Sequence, residues 1–246
     1  MSLFARSATI VLVHGAWADG SCWQKVILPL RKEGLYATCA PIPLTSLTED
    51  IAALQRVLER TNGPVLLAGH AYGGAVIAGP TDSRVKSLVY VAALAPAEGE
   101  TVADVFYRAK PHPEAPKLQP DAHGLIWIPE GGFARAVAHK ASLDLAAILE
   151  AVQRPLSVNC IQEKAPMPAW KTKPSWYLLA EEDRMIVPET QRFVAERMGA
   201  KILSHRVDHS PMQTAPDVVV GVILEAAQET LALGARAVSS GRTHAK

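Results

Sequence analysis

The sequence predicts an α/β architecture, in which a mostly parallel sheet of about six strands carries helices on both faces and an inserted helical cap. Short apolar runs without polar alternation, typical of strands buried on both faces, recur between segments with helical periodicity. The connections between these segments are short, which favours right-handed parallel crossovers. The alternation stops between residues 97 and 173 and then resumes. We therefore expect a single domain over residues 1–246, with the cap inserted at about 97–173.

Strands and helices alternate in the first part of the chain. A helix is predicted over Ser21–Lys32, where apolar side chains recur at i, i+3, i+4 and i+7, and Gly34 ends it. Ser46 and Glu49 have the spacing of a capping box, so a second helix is expected to begin there and to end near residue 61. A small-residue helix follows the third strand. The predicted strands are Thr9–Val13, Leu35–Ala40, Val65–Ala68 and Val85–Val91.

The inserted segment is rich in proline, with five prolines between residues 111 and 129. We expect helices near Gly132–Lys140 and Leu143–Ala151, and no clear strand. Aromatic side chains favour a packed cap over a disordered linker, because they indicate burial; those in the segment include Trp127, Phe133 and Trp170. Such a cap would cover the carboxyl edge of the sheet, where ligands bind in open α/β sheets.

The alternation resumes after residue 173. The predicted elements are the strand Ser175–Ala180, the helix Glu189–Met198, the strand Lys201–Val207 and a closing helix that begins near Pro216. The tail from about Ser239 is polar, and we expect it to fray.

Composition argues against several classes of function. The 25 basic and 24 acidic residues give a net charge of +1, which disfavours a nucleic-acid or membrane-surface partner. The first apolar run, Ala8–Val13, is too short for a signal peptide, and no run is long enough to span a membrane, so a cytoplasmic protein is expected. The histidines and the three cysteines lack metal-binding spacing, so we expect no metal and no cofactor. A homodimer is compatible with the sequence.

The stretch Val65–Val76 reads as a buried strand, a five-residue corner and a helix. Gly69 and Gly73 flank the corner, which is the layout of the nucleophile elbow G-x-S-x-G. Glycine suits these positions because a sharp turn leaves no room for a Cβ. The middle position, where the elbow would hold a serine, is Ala71, whose methyl group cannot attack a carbonyl. We expect Ala71 to have a positive φ and to point into a cavity beneath the cap.

The first strand runs directly into His14, Gly15, Ala16 and Trp17. A strand followed by His-Gly is typical of an oxyanion-hole loop, whose backbone N–H groups face a developing negative oxygen. An ordinary tight turn would also explain Gly15, but its position ahead of the elbow favours the functional interpretation.

Three side chains are candidates for lining a substrate pocket. Trp17 and Trp127 suggest contacts with an apolar or aromatic group of the substrate, although either could be a core residue instead. His70, inside the elbow, is expected to line the pocket or to stabilise the turn.

Asp183 and His209 each follow a predicted strand, so Ala71, Asp183 and His209 occur in the order elbow, carboxylate, histidine. Because the carboxyl ends of parallel strands meet at one edge of a sheet, we expect the three to lie together. In such a set the histidine takes the proton of the nucleophile and the acid orients the imidazole. Asp183 is preferred over Glu181 and Glu182 because it lies deeper in its loop.

Five motifs carry a family resemblance: Val11–Trp17, Ala68–Gly74, Tyr90–Pro96, Pro174–Ala200 and His209–Met212. On these motifs the chain resembles the small α/β-hydrolases related to plant methyl-salicylate esterases and hydroxynitrile lyases, specifically their bacterial esterase-like relatives. The resemblance covers residues 9–230, and the cap only loosely. It implies the α/β-hydrolase fold and hydrolysis of a small, fairly apolar carboxylic ester without a cofactor. It also implies an oxyanion hole from the backbone N–H groups of Ala16 and Tyr72, with Asp183 and His209 as catalytic acid and base.

Ala71 departs from the family's pattern, which has serine at this position. Because the surrounding glycines, Asp183 and His209 are kept, the sequence favours a serine hydrolase inactivated by a designed Ser-to-Ala replacement. Two alternatives stay open. His209, oriented by Asp183, could act as a general base without a covalent intermediate, in lyase-like, retro-aldol or cofactor-free oxygenation chemistry. The chain could instead be a non-catalytic ligand-binding protein.

Overall fold

The computed structural model describes residues 8–79 and 82–231 of the chain. Six parallel strands form its central sheet in the order β2-β1-β3-β4-β7-β8, which confirms the predicted fold class. A separate antiparallel pair joins β5 to β6. The strands are Thr9–Val13 (β1), Tyr36–Ala40 (β2), Val65–His70 (β3), Val85–Val91 (β4), Leu125–Ile126 (β5), Leu156–Ser157 (β6), Ser175–Ala180 (β7) and Lys201–His205 (β8). The tail predicted to fray from about Ser239 lies outside the described residues.

Helices cover both faces of the sheet. They are Gln24–Lys32 (α1), Leu47–Glu59 (α2), Gly73–Ile77 (α3), Val102–Phe106 (α4), Leu143–Ala151 (α5), Asn159–Gln162 (α6), Pro188–Arg197 (α7), Pro211–Thr214 (α8) and Pro216–Thr230 (α9). Helices α1 and α9 share one apolar core with the sheet, while α2, α3 and α7 share the other. Within the described parts of the chain, no helix has both the length and the apolar character needed to cross a membrane.

The unbroken apolar strands follow from this arrangement. Successive side chains of a strand point to opposite faces, so Ile10 and Leu12 enter one core while Val11 and Val13 enter the other. All four side chains are fully buried. Because both faces of the sheet are buried, these strands lack the alternation of apolar and polar residues that a sheet with one solvent-exposed face would show.

The structure differs in detail from the prediction at the beginnings of two helices. The first turn of the Ser21–Lys32 helix is a separate 3₁₀ turn, Gly20–Trp23, because the side chain of Asp19 accepts a hydrogen bond from the Ser21 N–H. At α2, Ser46 Oγ accepts from the Glu49 N–H at 3.1 Å, as predicted. The reciprocal capping box occurs at α4 instead, between Thr101 and Asp104.

The segment at 97–173, called the insertion below, lies between β4 and β7 and carries α4, α5 and α6. The predicted helix Leu143–Ala151 is confirmed, whereas the one expected near Gly132–Lys140 is a single π-helical turn at Phe133–Val137. The expectation that the insertion lacks a strand is wrong, since β5 pairs with β6. Two-residue strands are too short to produce a periodic signal in the sequence.

Candidate active site

Ala71 occupies the corner between β3 and α3 with φ of 48°, the positive value expected from the sequence. Its N–H donates to the Val91 carbonyl and its own carbonyl accepts from the Leu94 N–H. A Cβ on Gly69 would lie 2.5 Å from the Gly73 carbonyl oxygen, so close backbone approach requires glycine there. A residue with a Cβ in the left-handed region costs about 1–2 kcal/mol. Ala71 therefore has the strained backbone that the sequence analysis expected at this corner.

His209 and Asp183 form a buried pair in which Nδ1 lies 2.8 Å from Oδ2. The Asp183 carboxylate also accepts from the N–H groups of Met185 and Ile186, at 2.7 and 2.9 Å, and from Gln191 Nε2 at 2.9 Å. These donors fix the carboxylate, which in turn orients the imidazole through Nδ1. His209 therefore has Nε2 available for a reacting group.

The loop after β1 brings Ala16 and Trp17 to the elbow. Trp17 has φ of 60°, and its indole N–H donates to the Ile126 carbonyl at 2.9 Å, which ties this loop to the insertion. Ala16 and Tyr72 border the same cavity as Ala71 and His209. No hydrogen bond from the backbone N–H of Ala16 or Tyr72 to another residue is found in the described parts of the chain. The backbone N–H groups of Ala16 and Tyr72 are thus without a partner among the described residues.

Two further histidines pack behind the elbow. His70 Nε2 lies 2.7 Å from the His209 carbonyl oxygen, and the two imidazole rings are 4.8 Å apart. Burial lowers the pKa of His70 well below its usual value, so its imidazole is neutral. Burial also lowers the pKa of His14 to about 4, and His14 Nδ1 lies 2.9 Å from the Gly15 carbonyl oxygen. His70 therefore supports the backbone of His209, while His14 supports the loop after β1.

Asp50, a buried carboxylate that the sequence analysis does not single out, binds the Tyr72 side chain. Asp50 is fully buried, and its Oδ2 accepts from the Tyr72 hydroxyl at 2.7 Å. Its Oδ1 accepts from the Leu44 N–H at 2.7 Å, and Cys160 Sγ lies 3.6 Å from Oδ2. Burial raises the pKa of Asp50 above its usual value. The available signal was a lone acid on the apolar face of α2, three residues after Leu47.

The first cavity lies between the elbow and the insertion and has a volume of about 50 Å³. It is bordered by Ala71, Ala16, Trp17, Tyr72 and His209, and its remaining wall is apolar. That wall includes Val102, Phe106, Leu118, Ile126, Leu156 and Ile161.

Trp127 does not border the first cavity, contrary to the expectation that it contacts substrate. Its side chain is 43% exposed, and its indole N–H points to the Asp121 carboxylate at 3.3 Å. An indole can satisfy its N–H at the surface, so an aromatic residue in a cap need not face the pocket.

A second cavity of about 50 Å³ is also bordered by Ala16, Trp17 and His209. His70 borders this cavity and not the first. The structure therefore places His70 beside the second cavity and not beside the one that contains Ala71.

In the described part of the chain, the thiols and acids form no metal-binding cluster. Cys22 and Cys160 are buried and Cys39 is half-buried, and all three are free. Across residues 8–79 and 82–231, no group of three histidine, cysteine or acidic side chains is placed to hold a metal ion.

Comparisons with known proteins identify relatives of this chain. A carbendazim-hydrolysing esterase from Nocardioides is 31% identical over 121 residues, which are 42% of this chain and 49% of that protein, so the match spans about half of its length. The probable hydrolase R7 from Phoma is 26% identical over 89% of this chain and 97% of its own. The methylesterase MES16 from Arabidopsis superposes with a TM-score of 0.72 at 18% identity, covering 90% and 99% of the two chains, a likeness of fold.

The family model described as "Alpha/beta hydrolase family" matches residues 10–222. This match spans the sheet from β1 to α9, including the elbow, Asp183 and His209. The resemblance to esterase-like relatives is therefore confirmed. The chain belongs to the alpha/beta hydrolase family.

Proposed function

We propose that this chain has the site of a serine esterase for small carboxylic esters, in which Ala71 permits ester binding but prevents formation of an acyl-enzyme. The observation that carries the proposal is the strained elbow at φ of 48°, kept beside an imidazole that a carboxylate orients at 2.8 Å. A binding pocket alone needs neither feature. The names of the relatives, an esterase and a hydrolase, agree with this chemistry.

The reaction follows once a hydroxyl is placed on the Ala71 Cβ. His209 Nε2 takes the hydroxyl proton as the oxygen attacks the ester carbonyl, and the N–H groups of Ala16 and Tyr72 bind the resulting oxyanion. The imidazolium, stabilised by Asp183, then gives its proton to the leaving alkoxide. A water molecule, deprotonated by His209, hydrolyses the acyl-enzyme and releases the acid.

Hydrolysis of p-nitrophenyl butyrate by the Ala71→Ser variant tests the proposal. We expect kcat/KM to rise by about 10³–10⁶, because removing a member of a serine triad costs factors of this size. Ala103→Ser is the matched control, since it adds the same hydroxyl to the insertion side of the first cavity. Adding His209→Ala to Ala71→Ser should abolish the gain. A folded Ala71→Ser variant that is no faster than the present chain would refute the proposal.

A second candidate function is general-base catalysis without a nucleophile. The intact His209–Asp183 pair favours this candidate. The pair lies beside a cavity in which Ala71, at the elbow position, provides no hydroxyl. In this case turnover of a substrate with an acidic O–H or C–H would depend on His209 in the present chain. Equal rates for the chain and its His209→Ala variant would remove this candidate.

A ligand that binds tightly in calorimetry, with no product in either protein or in Ala71→Ser, would indicate a binding protein.

A further inference from the structure

A short part of the insertion, residues 135–140, lies against both loops that carry the candidate catalytic pair. Asp183 belongs to the loop that follows β7, and His209 belongs to the loop that follows β8. The four residues that directly precede or follow this pair in the chain all bind the 135–140 segment through a hydrogen bond or an ion pair: Glu182, Arg184, Asp208 and Ser210. The insertion therefore contacts the backbone that supports the site, in addition to forming a cavity wall.

Two of these contacts come from the π-helical turn Phe133–Val137. The last carbonyl groups of a helix have no donor within the helix, so other groups must supply one. Arg184 Nη1 donates to the Arg135 carbonyl at 2.8 Å. Ser210 Oγ donates to the Val137 carbonyl, also at 2.8 Å, and this hydrogen bond is buried. One turn thus binds the residue that follows each member of the pair.

Lys140 binds both loops. Its backbone N–H donates to Asp208 Oδ2 at 3.0 Å, and its Nζ donates to the Arg206 carbonyl at 2.7 Å. The same Nζ forms an ion pair with Glu182 Oε2 at 2.6 Å. Glu182 lies on the loop after β7, whereas Arg206 and Asp208 lie on the loop after β8. A single residue of the insertion therefore links the two loops.

Asp208 fixes the backbone around His209. The Asp208 side chain is fully buried, and a buried carboxylate requires hydrogen-bond donors. Its Oδ1 accepts from the Ser210 N–H at 3.2 Å and from the Thr214 hydroxyl at 2.6 Å, while its Oδ2 accepts from Lys140. Because His209 lies between Asp208 and Ser210, the backbone is held on both sides of the imidazole-bearing residue.

The direct backbone pairing of the two loops stops before the pair. Among the described residues it extends to the hydrogen bond from the Glu182 N–H to the Val207 carbonyl, at 3.1 Å. The 2.8 Å contact of His209 Nδ1 with Asp183 Oδ2 comes after this point in both loops. A hydrogen bond between two loops persists only while both backbones keep their positions. The contacts with residues 135–140 act on the parts of both loops where this requirement applies.

We propose that residues 135–140 position the Asp183–His209 pair, an inference that rests on the proposed esterase function. Lys140 and Ser210 are the positioning residues that this proposal assigns. The reaction requires His209 Nε2 to be aimed at the nucleophile, so a small displacement of either loop slows the chemical step. Ester binding in the first cavity should change little, because neither positioning residue borders that cavity.

Lys140→Met in the Ala71→Ser variant tests the charged side chain. It removes both Nζ contacts and keeps the backbone N–H. We expect kcat for p-nitrophenyl butyrate to fall about threefold to tenfold, while KM changes by less than about twofold. Lys201→Met is the matched control, because Lys201 Nζ also has two partners at 2.7 Å, Glu225 and Glu229, at the beginning of β8. The control should leave both constants unchanged.

Ser210→Ala in the same variant tests the buried contact. It removes only the hydroxyl that donates to the Val137 carbonyl. We expect kcat to fall about tenfold at nearly constant KM, since the contact is shielded from solvent. Ser87→Ala is the matched control: Ser87 is buried, and its hydroxyl hydrogen-bonds the Thr230 hydroxyl at 2.7 Å, between β4 and α9. Both substitutions should lower Tm by similar amounts, but only Ser210→Ala should lower kcat.

A measurement on the present chain separates this inference from the proposed function. His209 Nδ1–H donates to the Asp183 carboxylate, and proton NMR with ¹⁵N-labelled histidine can follow its exchange with water without any turnover. We expect exchange to be about threefold or more faster in Lys140→Met and Ser210→Ala than in the two control variants, because less firmly held loops open this hydrogen bond more often.

Equal kcat and equal proton exchange in the variants and their controls would overturn the inference. A rise in KM at unchanged kcat would also overturn it, since Lys140 and Ser210 would then act in binding. If Ser210→Ala fails to fold, the partly exposed Lys140 still provides the test through Lys140→Met. If Ala71→Ser hydrolyses no ester, the proposed function fails, and the exchange rates alone decide whether residues 135–140 position the pair.

Discussion

Removing one hydroxyl from Tyr72 tests the role assigned to the buried Asp50. In Tyr72→Phe, Asp50 Oδ2 loses its donor at 2.7 Å, while the Cys160 thiol lies 3.6 Å away. Hydrogen bonds to charged groups contribute about 1.5–3 kcal/mol, so we expect the free energy of unfolding to fall by about 2 kcal/mol. For a protein of this size, Tm should then drop by about 4–8 °C. Urea and thermal unfolding at pH 7 measure both quantities.

Tyr90 provides the matched control for this change. Its side chain is fully buried, like that of Tyr72, but its hydroxyl has no hydrogen-bond partner in the described residues. Tyr90→Phe should therefore leave stability unchanged or raise it by about 1 kcal/mol, because it removes an unsatisfied polar group.

A double-mutant cycle isolates the contribution of the carboxylate. In an Asp50→Asn background the acceptor is neutral, and Tyr72→Phe should cost only about 1 kcal/mol, which gives a coupling energy of about 1 kcal/mol. Equal losses for Tyr72→Phe and Tyr90→Phe would refute the reasoning. So would a cycle without measurable coupling.

Three further predictions follow from local geometry. In Gly73→Ala, the new Cβ would lie 2.7 Å from the His14 carbonyl oxygen, and we expect a loss of about 3 kcal/mol in urea unfolding, or no folded protein. The pKa of His14 is lowered to about 4 in the folded state, so its contribution to stability is present above pH 6.5 and is lost as pH falls towards 4. His14→Gln should make the unfolding free energy less pH-dependent in this window, by up to about 3 kcal/mol. Arg197 donates to Glu100 at 2.8 Å and to the Ala95 carbonyl at 2.7 Å, so Arg197→Met should lower Tm by an amount equivalent to about 1–2 kcal/mol.

The sheet could be predicted from the sequence because its strands are buried on both faces. Thr9–Val13, Val85–Val91 and Ser175–Ala180 have the same bounds in the prediction and in the structure. The insertion was harder to predict, because its structure depends on contacts with the core. The β5–β6 pair, for example, is joined to the loop after β1 through the Trp17 indole N–H and the Ile126 carbonyl.

The main residues of the site follow from topology, since the ends of parallel strands must meet at one edge. The structure brings Ala71 and His209 to one cavity and pairs His209 with Asp183. The partners of the supporting residues were not predictable, because each contact joins distant parts of the chain. The hydrogen bond between Asp50 and Tyr72 and the contact of His70 with the His209 carbonyl, which spans 139 positions, join residues that no local sequence pattern pairs.

The position of the insertion also has a consequence for biosynthesis. In the completed sheet β4 pairs with β7, and Leu88 lies opposite Ser175, about 87 positions later. At about 5–20 residues per second, β7 emerges from the ribosome several seconds after β4. During this interval strands β1 to β4 can pair, while the edge of β4 that β7 will cover stays open. An open, apolar strand edge is prone to pair with other chains. Nascent chains that stall within the insertion should therefore be the forms that aggregate or recruit chaperones.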